Sequence, residues 1–115
     1  MLTVHHVNAF LLIGVCLLAS AAAFRARRAR AGGPVAHLLA LAQTLLVAQV
    51  ALGLLLLSRH ERAADHLHYA YGVFALAAVL SPWLYAPDEP RARLLWFAVA
   101  TLLAAALAVR AWMTA

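Results

Sequence analysis

The stretch PVAHLLALAQTLLVAQVALGLLLL, residues 34–57, contains no Asp, Glu, Lys or Arg, and it decides the fold class. A helix that crosses the hydrocarbon core of a bilayer needs about 20 mostly apolar residues. Three further stretches of this kind occupy residues 7–24, 67–86 and 94–113, and only short links separate them. The sequence therefore predicts one all-α transmembrane domain over residues 1–115, an integral membrane four-helix bundle with up-down-up-down topology.

Composition excludes the usual soluble classes. Of the 115 residues, 67% are hydrophobic and 11% are charged, whereas a soluble domain is about 45–50% apolar. The net charge of +5 comes from arginines that flank the apolar spans, so we expect a lipid bilayer rather than nucleic acid as the partner. No nucleophile–base pair, phosphate-binding loop or paired carboxylate lies within a span. An enzyme is therefore not the expected class.

The distribution of arginine predicts the orientation. One side of the predicted membrane carries Arg25, Arg27, Arg28, Arg30, Arg91 and Arg93, and the other carries Arg59, Arg62 and Arg110. Because cytoplasmic links are enriched in basic residues, we expect a multi-pass protein of the cell membrane with both termini on the outer side. The alternative is that the first span is a cleaved signal peptide, since LLASAAAF offers small residues; however, MLTVHH lacks a positively charged start.

The two halves of the chain share a design that is consistent with an internal duplication of two helical hairpins. TVHHVNAF, residues 3–10, and ADHLHYAY, residues 64–71, each precede an apolar span, a basic link and a returning span. A duplication predicts a pseudo-twofold axis along the membrane normal. Such an axis brings His6 and His68 opposite each other.

Histidine is the residue type in this chain that points to binding of a cofactor or metal. Five of the six histidines, His5, His6, His60, His66 and His68, are on the predicted outer side, and His37 is on the inner side. Three interpretations stay open: imidazoles that only sit at the lipid–water interface, two axial ligands of a b-type haem, or a copper or zinc site.

Helical geometry bears on this choice. Residues one or two apart on a helix point about 100° or 200° away from each other, so each helix offers one histidine to a shared ligand. Two ligands from two helices suit a haem, and we expect His6 and His68, with His5 and His66 as the alternatives on the same helices. A zinc site needs more ligands, which would include His60 and a carboxylate such as Glu61 or Asp65.

Small and basic residues near these histidines are compatible with a large planar ligand. Gly72 lies four residues after His68, and Gly14 lies eight after His6. Glycine lets a macrocycle approach the backbone, although close helix packing in lipid explains glycine equally well. Arg110, like Arg59 and Arg62, can pair with haem propionates or extend to the lipid headgroups.

Two segments carry a family resemblance. QVALGLLLL, residues 49–57, followed by HLHYAYG, residues 66–72, resembles the pattern in the four-helix halves of haem A synthase and, more loosely, in small four-helix membrane b-type cytochromes. The resemblance implies that histidines on alternate helices face a haem, which it carries onto His6 and His68. This chain is shorter and has no carboxylate within a span, so what it implies is haem binding without synthase activity.

Two functional hypotheses follow. The first is a small integral membrane protein that binds haem b, as an electron-transfer or haem-handling module. The second is a cofactor-free accessory subunit that packs against a larger respiratory or transport membrane complex.

Overall fold

The computed structural model describes residues 2–29, 33–60 and 65–114. They form four helices and no strand: α1 (Leu2–Ala29), α2 (Gly33–Ser58), α3 (Leu67–Tyr85) and α4 (Pro90–Met113). Consecutive helices run antiparallel in an elongated bundle of 47 × 23 × 19 Å. All four are long and apolar enough to cross a membrane. The predicted all-α four-helix bundle is therefore confirmed.

Two helices begin earlier than the apolar spans. Helix α1 starts at Leu2 rather than near residue 7, because the segment LTVHH contains no helix breaker, and His5 and His6 therefore lie inside the helix. Helix α4 starts at Pro90 rather than near residue 94. Proline fits the first turn of a helix, and the Glu89 carboxylate accepts hydrogen bonds from the backbone N–H groups of Arg91 (3.1 Å) and Ala92 (2.7 Å).

Helix α3 contains a proline whose missing N–H is compensated locally. Pro82 is buried inside the helix, and it cannot donate to the carbonyl of Ala78 four residues earlier. The Ser81 hydroxyl donates to that carbonyl instead, at 2.8 Å. Helix α3 thus continues to Tyr85 with this carbonyl satisfied inside an apolar bundle.

Small residues bring α1 and α4 close together. The core contains Cys16, Ala19 and Ala23 of α1 with Ala98 and Ala104 of α4, all completely buried. The Ser20 hydroxyl donates to the Ala98 carbonyl across this interface at 2.8 Å. Small side chains allow such close approach between membrane helices, where dispersion and hydrogen bonding replace the hydrophobic effect.

The bundle is not symmetrical. Helix α1 packs along both α2 and α4, and α4 packs along α3, whereas α2 and α3 meet over much less of their length. A pseudo-twofold axis between the two hairpins would make the α1–α4 and α2–α3 contacts equivalent. The difference leaves an open seam between α2 and α3.

Some residues used in the sequence argument lie outside the described part of the chain. These are Arg30, Glu61 and Arg62, together with the side chains of Arg27 and Arg28.

Candidate functional site

The starts of α1 and α3 and the ends of α2 and α4 meet at one end of the bundle. We call it the histidine end, because it carries His5, His6, His66 and His68. His37 lies near the start of α2, at the opposite end, and its side chain is exposed. The sequence-based grouping of histidine at one end is thus seen in the fold.

A cavity of about 960 Å³ opens at the histidine end. All four helices line it, mostly with apolar side chains, and its polar lining comes from His5, His6, Gln49, His68 and Tyr69. Ligand-binding cavities typically have volumes of about 300–1,000 Å³ and combine apolar walls with a few polar groups. This cavity has that character.

The imidazoles of His5 and His68 lie close together in the cavity. Their ring centres are 6.2 Å apart, and the ring planes make an angle of 70°. His5 is 8% exposed although it lies one turn from the start of α1. One imidazole thus comes from α1 and the other from α3, as expected from the sequence, but the ring on α1 is that of His5.

His6, the expected ligand on α1, points toward α4. Its ring centre is 5.2 Å from that of Trp112 in an edge-to-face contact, and Trp112 in turn lies 4.7 Å from the ring of Phe10. His6 lines the cavity and is half-buried. Its ring centre is 6.3 Å from that of His5, so both histidines of α1 remain within the same small volume.

The orientation of His68 is fixed by a backbone carbonyl. Its Nδ1 lies 2.6 Å from the carbonyl oxygen of Ala111 on α4. Because a carbonyl can only accept, Nδ1 carries a proton, and in the neutral ring the lone pair is on Nε2. This arrangement is the one that metal-ligating histidines usually show, with the second ring nitrogen held by a carbonyl or carboxylate.

A polar network holds His5 from the side of α2. Asn8 Nδ2 donates to Gln49 Oε1 at 2.8 Å and to the Leu45 carbonyl at 3.1 Å. Gln49 Nε2 donates to the His5 carbonyl at 3.0 Å and lies 3.4 Å from His5 Nε2. His5 Nδ1 is buried and has no hydrogen-bond partner among the described residues. The ring is therefore held on one side and leaves one nitrogen for a further partner.

The glycines that the sequence places near the histidines differ in their position relative to the cavity. Gly72 lines the cavity, and a Cβ added there would meet no atom of the described chain within 4 Å. Gly14 also has open space, but it is exposed on α1 and does not line the cavity. Gly53, on α2, approaches the histidine pair, since an added Cβ would lie 3.4 Å from His5 Cε1.

The remaining candidate binding residues lie at the edge of the cavity or outside it. Arg110 is exposed next to Ala111, with Nη2 3.4 Å from the Tyr71 hydroxyl and its guanidinium carbon 5.4 Å from the centre of that ring. His66 is exposed just before α3, and His60 is exposed in a left-handed conformation (φ 64°). Within the described ranges, no group of three or more His, Cys, Asp or Glu side chains is arranged to hold a metal ion.

Sequence reasoning by the two-half alignment missed the inward position of His5, although a signal was present. His5 shares a helical face with Leu12, Cys16 and Ala19, at spacings of three, four or seven residues. All of these residues are buried. The apolar face of α1, followed back to its first turns, indicates His5 rather than His6 as the inward histidine.

Comparison with known proteins adds no assignment. No family model matches the chain, and neither a curated protein nor a solved structure matches it.

Proposed function

We propose that this chain is a small integral membrane protein that binds haem b at the histidine end, with His5 and His68 as the axial ligands. The observation that supports this is the 6.2 Å separation of their ring centres. Two imidazoles on one iron have centres about 6 Å apart, because each metal–nitrogen bond is about 2 Å and each nitrogen is about 1 Å from its ring centre.

The surrounding residues fit such a group. The open space at Gly72 leaves room beside His68 for the edge of a planar macrocycle. The buried Nδ1 of His5 lacks a partner in the described structure. For this atom to bind iron, the ring proton would be on Nε2, and the 3.4 Å contact of Nε2 with the Gln49 amide nitrogen would be released. The donor set is chemically suitable as well, since neutral imidazole is a common axial ligand of haem iron.

The chain's own residues perform the remaining tasks. The Ala111 carbonyl keeps the proton of His68 on Nδ1, and Gln49 restrains His5. Trp112 and the aliphatic lining would pack against the apolar body of the ligand. Arg110, whose guanidinium lies over Tyr71, neighbours the cavity-lining Ala111 and is the described arginine we assign to a carboxylate of the ligand. When bound, haem supplies a one-electron couple, which suits an electron-transfer or haem-handling module.

The test is a visible spectrum of the protein purified in detergent, with added haem, before and after reduction by dithionite. A Soret band and a sharp reduced α-band are expected for the wild type. His68→Ala and His5→Ala should each abolish the bis-imidazole spectrum. His37→Ala and His66→Ala are matched controls, because both side chains are exposed, and they should retain it.

His6→Ala decides between the two histidines of α1. If His5 is the ligand, His6→Ala keeps the spectrum with at most a small shift; loss in His6→Ala and retention in His5→Ala would assign the role to His6. A wild type without any haem spectrum would contradict the proposal. That result would leave the cofactor-free accessory subunit of a larger respiratory or transport complex as the function to pursue.

We also propose that the protein is in the cell membrane with the histidine end outward, since six arginines flank the spans at the opposite end and three at this end. Thr114→Cys places a thiol at the end of α4, and Asp88→Cys places one in the opposite link, both in a Cys16→Ala background. An impermeant thiol reagent should label only the Thr114→Cys protein in intact cells. Labelling of only the Asp88→Cys protein would reverse the orientation.

A further inference from the structure

The cavity at the histidine end, which we call the histidine cavity, is more closely packed on one side than on the other. On the α1–α4 side, small buried residues pack closely, and Trp112 bridges His6 and Phe10 with ring-centre distances of 5.2 and 4.7 Å. On the α2–α3 side the two helices meet over a short length only. Small residues, Gly53 and Gly72, line the cavity from these two helices.

A side-chain hydrogen bond joins α2 and α3 toward the end of the bundle opposite the histidines. Trp83 Nε1 donates to Gln43 Oε1 at 2.9 Å, close to the end of the bundle opposite the histidines. From there a second, smaller cavity of about 340 Å³ lies between the helices, lined by Ala40, Gln43, Thr44, Val47 and Leu80. The seam between α2 and α3 is therefore bordered by this smaller cavity toward the far end and by the larger cavity at the histidine end.

Two residues mark where this opening reaches the surface. Leu54 of α2 is 62% exposed and Val73 of α3 is 61% exposed, and both also line the cavity. Their α2 and α3 spans are apolar and uncharged at this depth, so the surface they reach is the one that faces lipid. We call Leu54 and Val73 the seam rim.

We propose that the ligand of the histidine cavity reaches it from the bilayer, between α2 and α3 across the seam rim, and not from the water at the histidine end. The ligand class is then an amphiphile that dissolves in lipid, with an apolar body that passes Gly72 and Val73 and polar groups that stay near the surface. The inference rests on the proposed function, in which that amphiphile is haem.

Two pairs of substitutions compare the routes. Leu54→Trp and Val73→Trp add bulk at the seam rim. Leu2→Trp and Met113→Trp add the same bulk at the water-facing rim, since Leu2 (50% exposed) and Met113 (64% exposed) line the cavity at the ends of α1 and α4. Leu103→Trp, on an exposed position of α4 away from the cavity, is the matched control.

The measurement is the rate at which the Soret band of bound haem appears when phosphatidylcholine vesicles preloaded with haemin are mixed with vesicles or micelles containing the apoprotein. The two seam-rim variants should bind about tenfold more slowly than the wild type, with an unchanged final spectrum. The control and the water-rim variants should match the wild type. Slowing by the water-rim variants alone, or equal rates in all variants, would overturn the inference. A wild type that never forms the spectrum would instead refute the proposed function, so the two failures are distinguishable.

Discussion

Gln49 lies in the middle of an apolar helix and connects α2 to two positions on α1. Its side chain accepts from Asn8 at 2.8 Å and donates to the His5 carbonyl at 3.0 Å. Hydrogen bonds between membrane helices contribute about 1 kcal/mol each. We predict that Gln49→Leu lowers the free energy of unfolding by about 1–2 kcal/mol, because two hydrogen bonds between α1 and α2 are lost. Asn8 keeps its bond to the Leu45 carbonyl as a remaining polar contact between these helices.

The measurement for Gln49→Leu is unfolding in mixed micelles of mild detergent and dodecyl sulfate, followed by circular dichroism. Thr44→Val is the matched control on the same helix, because the exposed Thr44 hydroxyl donates only within its own helix, to Ala40 at 2.8 Å. It should change the free energy of unfolding by less than about 0.5 kcal/mol. Equal effects of the two substitutions would contradict the role given to Gln49.

The sequence predicts which helices bear the histidines, but it does not determine which ring faces inward. The choice between His5 and His6 depends on the rotation of α1 about its axis, and that rotation is set by packing along α2 and α4. The buried face through Leu12 and Cys16 carries this information. The alignment of the two halves does not, because similar halves pack unequally here. The partners of Gln49 on α1 depend on the same rotation, so the sequence does not determine them either.

At the scale of one helix, Pro82 and Ser81 act as a unit. Pro82 removes the N–H that would bond to the Ala78 carbonyl, and the Ser81 hydroxyl donates to that carbonyl at 2.8 Å. We predict that Ser81→Ala costs about 1 kcal/mol in the wild type but close to nothing in a Pro82→Ala background, where residue 82 supplies its own N–H. A double-mutant cycle of unfolding free energies measures this coupling.

The Pro82→Ala single variant is the control in this cycle, because it measures the effect of removing the buried proline ring while Ser81 is kept. A Ser81→Ala cost that is the same in both backgrounds would show that the hydroxyl does not replace the missing N–H.

Helix ends were the least predictable feature of the elements. Hydropathy finds the apolar spans, but α1 extends beyond its span in both directions, and α4 begins at Pro90 inside a charged link. Glu89 lies in this link and caps α4 through its carboxylate. Capping depends on local backbone geometry, to which a hydropathy window is insensitive.

At the scale of the whole molecule, stability depends on the narrow spacing of α1 and α4. Ala104 is completely buried, whereas Ala106, two residues later on the same helix, is exposed. We predict that Ala104→Leu lowers the free energy of unfolding by about 1–3 kcal/mol, because the larger side chain forces packed helices apart. Ala106→Leu adds the same atoms toward lipid and should be nearly neutral.

Both alanine variants can be compared by the same unfolding assay in micelles. If Ala106→Leu proved as damaging as Ala104→Leu, helix propensity or insertion rather than close packing would explain the loss.

The carbonyl of Ala111, which accepts the hydrogen bond from His68 Nδ1, belongs to the last turn of α4. It also accepts from the backbone N–H and the hydroxyl of Thr114, at 3.2 and 3.1 Å. Helix ends fray easily. If the last turn of α4 unwinds at Thr114, the Ala111 carbonyl moves, and the His68 imidazole loses the hydrogen bond that orients it. A purification tag or fluorescent fusion attached there would disturb the position of the His68 ring, whereas an epitope inserted at Asp88, at the far end of the bundle, would leave it unchanged.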